Sequence, residues 1–393
     1  MEEVSFGGRR PTLTNFVGND VITWFQCDQQ FLSVRMDDLC WMLLRLSDPL
    51  MASNQQSPEE QTIPGWSGFN AITHPTIPVK TNIGYHPMIH AESSNFSTLY
   101  TLMKLAQKIC DTMGQHDSVI TFDLALYAKA KQLQMKYPEV FKNTVIRMGG
   151  FHIALNFLSL LGKKYAQSGL EDLLIESGVY AAGTTSVLML GKSYNRGIRA
   201  HKLTMEALFR LLWKAFLDWL SRQAVGMDDR VRQSVADQSR ECRNTVRQDC
   251  FVNDAWKAFQ GCVNPLMTLF ERLKSEGREK SKVFSFWEGY INIVLLLLQF
   301  VKAERTGNWK LHLSATTEMV PHFFSMDRVN YSRWLPVYLS DMHMLQLTHP
   351  AVHQEFIAGN HSVSRSNQPF AQVWPDMAPE QSINLDTKTK GGI

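Results

Sequence analysis

In the first half of the chain, short apolar runs alternate with stretches of helical spacing. In the second half helical spacing dominates. Residues 21–27, Val-Ile-Thr-Trp-Phe-Gln-Cys, form a short apolar run that ends at Asp28, and residues 31–36 are spaced to pair with it as a second strand. Residues 47–80 are rich in Pro, Ser, Gln and Asn and predict a long loop. Residues 82–90 are strand-like, with a proline that places them at an edge or a strand end. Ser97 or Thr98 can cap a helix running to about Met113. The β-rich run 118–122 ends at Asp123, and residues 124–136 have helical spacing closed by Pro138. Residues 143–148 predict a further strand, after which Gly149-Gly150 turns the chain into a helix carrying Phe151, His152, Leu155, Phe157 and Leu158.

Strand and helix therefore alternate through the central third, which predicts an α/β layer with some parallel pairing. From 169 to 350 nearly every segment is helical in period. A β-like or loop segment returns at 363–373, and a last helix starts near Asp376 and contains Glu380. The expected organisation has four parts. Residues 1–80 are irregular with the first strands, 81–168 form the α/β core, 169–350 are a helical insertion, and 351–393 return to the core with an acidic terminal helix.

Composition narrows the class without naming an activity. The 393 residues carry 40 Lys+Arg against 37 Asp+Glu, a formal charge of +3, which excludes polycationic tails and acidic solvating chains. Apolar residues make up 44%, enough for a large core. The six cysteines show no CxxC pair and fit no zinc template, so reduced thiols in a nuclear or cytoplasmic, non-secreted protein are expected. The longest apolar run, 291–301, is about half of the roughly 20 residues a membrane span needs, so a buried helix is expected.

Two strands end in residues with chemical potential. A carboxylate such as Asp123 at the C-terminal end of a strand sits at the rim of a sheet, where α/β proteins commonly build their sites. Asp123 could equally serve as a helix N-cap. His152 follows the next strand, in the first turn of a helix, and Glu380 lies one helical turn after Asp376.

Residues 119–178, VITFDLALYAKAKQLQMKYPEVFKNTVIRMGGFHIALNFLSLLGKKYAQSGLEDLLIESG, resemble a family of uncharacterised proteins scattered through animal genomes and derived from mobile elements. More loosely they resemble Mutator-type transposases, in which a strand-end Asp is followed by a helix with small residues, a strand, and a helix starting near a His. Further matching blocks are Ile83-Gly84-Tyr85, Tyr194-Asn195-Arg196 with Arg199-Ala200-His201-Lys202, residues 330–336, and residues 376–393. The resemblance implies an RNase H-like core with a mixed sheet, split by the helical insertion. It also implies DNA as partner and Mg²⁺ or Mn²⁺ as cofactor for phosphodiester cleavage or strand transfer. Asp123 and Glu380 would be metal ligands, and the first acidic position would fall on Asp28 or on Asn19-Asp20.

Other signals are weaker. Lys192, Arg196, Arg199 and Lys202, with Tyr194 interleaved, could bind phosphates or form a solvated helix face. His349 and His353 have the spacing of a zinc pair, but Pro350 follows the first and no third ligand is evident. The arginines of 230–247 alternate with acids, as on an exposed helix with i,i+4 pairs. Phe209, Trp213, Phe216 and Trp219 recur at core spacing. No Walker loop, GxGxxG or GxSxG motif is present, so no small-molecule cofactor motif supports a competing activity. The alternative to catalysis is a helical interaction protein that retains a transposase-like scaffold. A homo-oligomer is compatible with either, and no membrane partner is expected.

Overall fold

The computed structural model describes residues 29–46, 63–84, 86, 89–222, 229–247 and 253–380. Helices dominate, and two small sheets are the β structure among the described residues.

The central α/β unit follows the sequence pattern. Helix α3 (Phe96–Thr112) leads to β1 (Ser118–Phe122), α4 (Leu124–Lys136), β2 (Thr144–Met148) and α5 (Gly150–Lys164). The strands β1 and β2 pair in parallel, from Ser118 opposite Thr144 to Phe122 opposite Met148, with α4 as the crossover. All five residues of β2 are buried, whereas Val119 of β1 is exposed. The ladder continues past the strands, where the Gly149 amide donates to the Phe122 carbonyl at 2.7 Å. Helix α3 is capped by Asn95, whose side chain accepts from the Ser97 amide at 2.8 Å, not by Ser97 or Thr98.

Among the described residues two helices precede this unit, α1 (Gln29–Leu46) and α2 (Trp66–Thr73). The strand expected over 31–36 is therefore part of a helix. Six consecutive residues, Leu39 to Leu44, are buried, so this part of α1 is enclosed on all sides, and an apolar stretch of that kind reads ambiguously by period. Its Asp38 carboxylate accepts from the Trp66 indole at 2.8 Å and from the Gln299 amide. The irregular region expected over 1–80 thus contains two core helices. Residues 82–84, 86, 89 and 90 form no strand. The run 21–27 lies outside the described residues.

Among the described residues, the region 169–350 is helical as expected. It comprises α6 (Leu170–Glu176), α7 (Ala182–Met189), α8 (Tyr194–Arg222), α9 (Asp229–Arg247), α10 (Asn253–Lys280), α11 (Lys282–Arg305), α12 (Trp309–Ser325), α13 (Val329–His343) and α14 (Leu345–Thr348). These helices share one core with the α/β unit. Helix α11 starts at Ser281, whose hydroxyl accepts from the Phe284 amide at 3.2 Å. Among the described residues, α11 is the helix whose length and composition would suffice to cross a membrane. Its apolar residues from Tyr290 to Val301 are core here, packed against α5, α8, α10 and α12. Burying each such Leu, Ile or Val contributes about 1.5–3 kcal/mol. The ring series Phe209, Phe216 and Phe270 packs α8 against α10 as its spacing predicts.

The chain then returns to the sheet. Helix α15 (Pro350–Ile357) is followed by the antiparallel pair β3 (Val363–Ser364) and β4 (Gln372–Val373), and by the single turn α16 (Met377–Glu380). Trp374 stacks on Phe300 of α11 at 5.6 Å and meets Tyr194 of α8 edge-on at 5.6 Å. The buried Trp374 anchors the segment that brings Asp376 to the sheet edge.

Candidate active site at the edge of the parallel sheet

Three helix starts border one cavity of about 600 Å³ at the C-terminal edge of β1 and β2. Asp123, Leu124, Ala125 and Ala128 come from the start of α4, His152 and Asn156 from α5, and Asp327 to Tyr331 with Trp334 from α13. The amides at the starts of α4 and α5 are taken by the Asp123 and Asp376 carboxylates, whereas the start of α13 has no side-chain cap and presents partial positive charge to the cavity. Arg328, the residue before α13, adds a full charge and is held by a 2.8 Å hydrogen bond to the Ser159 hydroxyl.

Asp123 has both roles that its sequence position allows. Its Oδ1 accepts from the Leu126 amide at 2.9 Å and caps α4, while the residue also lines the cavity. Capping fixes the carboxylate at the strand end without enclosing it, since the residue is half-buried.

His152 is held from behind by Asp376. The carboxylate accepts from the Phe151 and His152 amides, both at 3.1 Å, and its Oδ2 lies 3.0 Å from His152 Nδ1. Asp376 is only 8% exposed and His152 is 33% exposed, so the acid is enclosed and the imidazole reaches the cavity. Asp376 thus acts as an N-cap supplied from a distant part of the chain, because Gly149 has no side chain to do it. The fit requires two glycines. A Cβ on Gly149 would lie 2.2 Å from Asp376 Oδ2, and one on Gly150 would lie 2.2 Å from Trp374 Cδ1.

The remaining wall is a polar triangle. Tyr331 Oη donates to the His152 carbonyl at 3.2 Å and accepts from Asn156 Nδ2 at 3.0 Å, and the same Nδ2 donates to that carbonyl at 3.0 Å. Burial pushes the Tyr331 phenol well above its usual value, and the nearby Asp376 and Asp123 carboxylates add to this. The phenol therefore stays protonated and neutral at any ordinary pH.

The sequence-derived candidates divide as follows. Asp123 and His152 meet at one cavity. The backbone of Glu380 ends the turn that starts just after Asp376, and its side chain lies outside the described atoms. Asp28 and Asn19-Asp20 lie outside the described residues. Lys192, Arg196 and Arg199 are exposed on or just before the first turns of α8. Lys202 is half-buried, its Nζ 5.4 Å above the Trp66 ring and 3.3 Å from the Ser67 hydroxyl. Desolvation lowers its pKa to about 8, helped by Arg305 and Arg199. His349 bonds through Nε2 to the Lys142 carbonyl at 3.0 Å, and it and His353 join no metal-type cluster among the described residues. Sequence reasoning alone missed Asp376, Asp327, Asn156, Arg328, Tyr331 and Trp334 as site residues. Tyr331, Trp334 and Asp376 nevertheless lie inside blocks that carry the family resemblance.

The fold and the site define a helix-dominated protein with a small parallel sheet and a polar cavity, lined by carboxylates and a histidine, at that sheet's edge. The chain belongs to the family described as Domain of unknown function (DUF8702), whose model matches residues 65–393. No curated protein and no solved structure matches it.

Proposed function

We propose that this chain is a DNA-transacting protein of mobile-element origin, with a reduced RNase H-like core, that cleaves or transfers phosphodiesters in the cavity beside Asp123. One observation carries the reading. Asp123 and the segment 374–380 are more than two hundred positions apart, yet they converge on the same edge of one parallel sheet, with His152 between them.

The donor chemistry fits a divalent cation such as Mg²⁺ or Mn²⁺. Such ions take hard oxygen ligands and keep several waters, so one or two carboxylates suffice. Asp123 would hold the ion through the carboxylate that lines the cavity, and Glu380, one turn past Asp376, would supply the second. Asp376 is a positioning residue in this scheme, because both its oxygens are committed to the start of α5 and to His152. The bound ion would supply Lewis-acid activation of a phosphate oxygen and of the attacking water or hydroxyl. The chain's own groups orient the substrate. The start of α13 and Arg328 attract the phosphate, and His152, fixed through Nδ1, offers an oriented imidazole. The exposed Arg196 and Arg199 lie on the helix whose Tyr194 packs on Phe151 at 5.4 Å, next to His152, and would track the flanking backbone.

The test is metal-dependent nicking of supercoiled DNA by the wild type and by Asp123→Asn. Cleavage with Mg²⁺ or Mn²⁺ that falls at least about a hundredfold in the variant is expected. Equal cleavage by both proteins would remove Asp123 from the mechanism. DNA binding without cleavage would leave the second reading, a scaffold that has lost catalysis. That reading is favoured by the full engagement of Asp376, which leaves few described carboxylates for a metal.

A further inference from the structure

Three groups that the candidate site does not use converge in the core. Glu304 lies at the end of α11, His312 in the first turn of α12, and His361 just before β3. One carboxylate oxygen, Nδ1 of His312 and Nε2 of His361 all lie within 4.8 Å of one another. The side chains are 1%, 0% and 0% exposed, so water does not reach them.

Their polar atoms are not satisfied by one another. His312 Nδ1 is 2.6 Å from Glu304 Oε1, and His361 Nε2 is 3.7 Å from Oε2, but neither contact has hydrogen-bond geometry. Both nitrogens therefore lack a hydrogen bond, and the Glu304 carboxylate has the Trp374 indole beside it as a neighbouring donor, an under-satisfied arrangement that buried polar groups rarely tolerate. The far side of each ring is engaged. His361 Nδ1 donates to the Phe356 carbonyl at 3.3 Å, which leaves the lone pair on Nε2. His312 Nε2 lies 2.9 Å from the Tyr338 hydroxyl. A ring nitrogen anchored on the outer side with its partner turned toward a carboxylate is the usual surrounding of a ligating histidine.

Arg147 does not pair with these atoms directly. Its Nη1 donates to the His361 carbonyl at 2.6 Å, and its guanidinium lies over the rings of Phe356 at 4.8 Å and Trp309 at 5.5 Å.

We propose that Glu304, His312 and His361 bind one divalent transition-metal ion as a structural centre, and that two imidazoles with a carboxylate select Zn²⁺. The set lacks the all-oxygen character that Mg²⁺ or Ca²⁺ prefers, and a two-oxygen grip by Glu304 would complete four-coordination without solvent. The ion would tie α11, α12 and the β3 turn together beside Trp374. It is independent of the cation proposed at Asp123.

Metal analysis of the purified full chain tests this, with about one Zn²⁺ per chain expected. Asp123→Asn should retain that ion, whereas Glu304→Gln and His361→Gln should each hold less than about a fifth of an equivalent. Because either variant can unfold, the wild type is also stripped with chelator and titrated with Zn²⁺ and Co²⁺. A rise in Tm with both ions and visible Co²⁺ ligand-field bands are expected. The proposal is overturned if the wild type holds no metal as purified and neither ion raises its Tm. It is equally overturned if folded Glu304→Gln and His361→Gln both keep a full equivalent.

Discussion

Asp376 and His152 are joined by a 3.0 Å hydrogen bond between a nearly buried carboxylate and a partly exposed imidazole, 224 positions apart in the chain. The same carboxylate takes the amides of the second and third residues of α5, so one residue both caps an orphaned helix start and orients a cavity side chain. Gly149 makes room for it.

Asp376→Ala and Gly149→Ala should each destabilise the protein, and by overlapping amounts. Loss of the charged cap removes hydrogen bonds worth about 2–3 kcal/mol, and the added methyl displaces the same carboxylate at a cost of about 1–3 kcal/mol. The double variant should lose clearly less than the sum, because both changes break one contact. Gly261→Ala is the control, since an added Cβ there meets nothing within 4 Å in a helix interior. It should gain about 0.5–1 kcal/mol. Urea unfolding of the four proteins measures this, and full additivity would show that Gly149 and Asp376 act separately.

Stability should fall as the solution is acidified from neutrality, in part through His201. This residue is buried in α8 with Nδ1 2.8 Å from the Tyr290 hydroxyl. Burial lowers its pKa from 6.5 to about 4. The unfolded chain therefore binds a proton that the folded chain refuses between those values. The contribution is fully present above pH 6.5 and is lost as pH falls toward 4, at up to about 1.4 kcal/mol per pH unit. His201→Gln should flatten the pH dependence of unfolding free energy in this window while leaving the region above pH 7 unchanged in slope. An identical slope in both proteins below pH 6 would contradict the assignment.

Arg196→Gln with Arg199→Gln should weaken DNA binding without unfolding the chain. Both side chains are exposed, so the cost in stability should stay within about 0.5 kcal/mol. If each contacts a phosphate, the slope of log K against log salt should decrease in magnitude by about 2. Fluorescence anisotropy with a DNA duplex across a salt series reads this directly, and an unchanged slope would place the DNA elsewhere.

The α/β unit is legible in the sequence because its signals agree. The runs 118–122 and 143–148 are short and β-rich, and Asp123 both ends a strand and caps a helix. Gly149-Gly150 marks a close approach, although only the fold reveals that Asp376 and Trp374 are what approaches. Residues 31–36 belong to a helix whose later turns, from Asp38 to Leu44, are enclosed on every side and carry no amphipathic period to mark it. The triad of Glu304, His312 and His361 leaves no local trace. Its members come from two helices and a turn, and no metal-ligand spacing connects them. His349 and His353 have such a spacing, yet one of them bonds a backbone carbonyl instead. Spacing indicates which residues share a helix face, whereas a site assembled across elements depends on packing.

The docking of Trp374 and Asp376 onto the start of α5 has a consequence for biosynthesis. A nascent chain that has exposed Asp123 and His152 to solvent still lacks the residue that seats the imidazole, and gains it only after more than two hundred further residues have been made. Any chemistry in the cavity is therefore withheld from translation products that stop before Asp376.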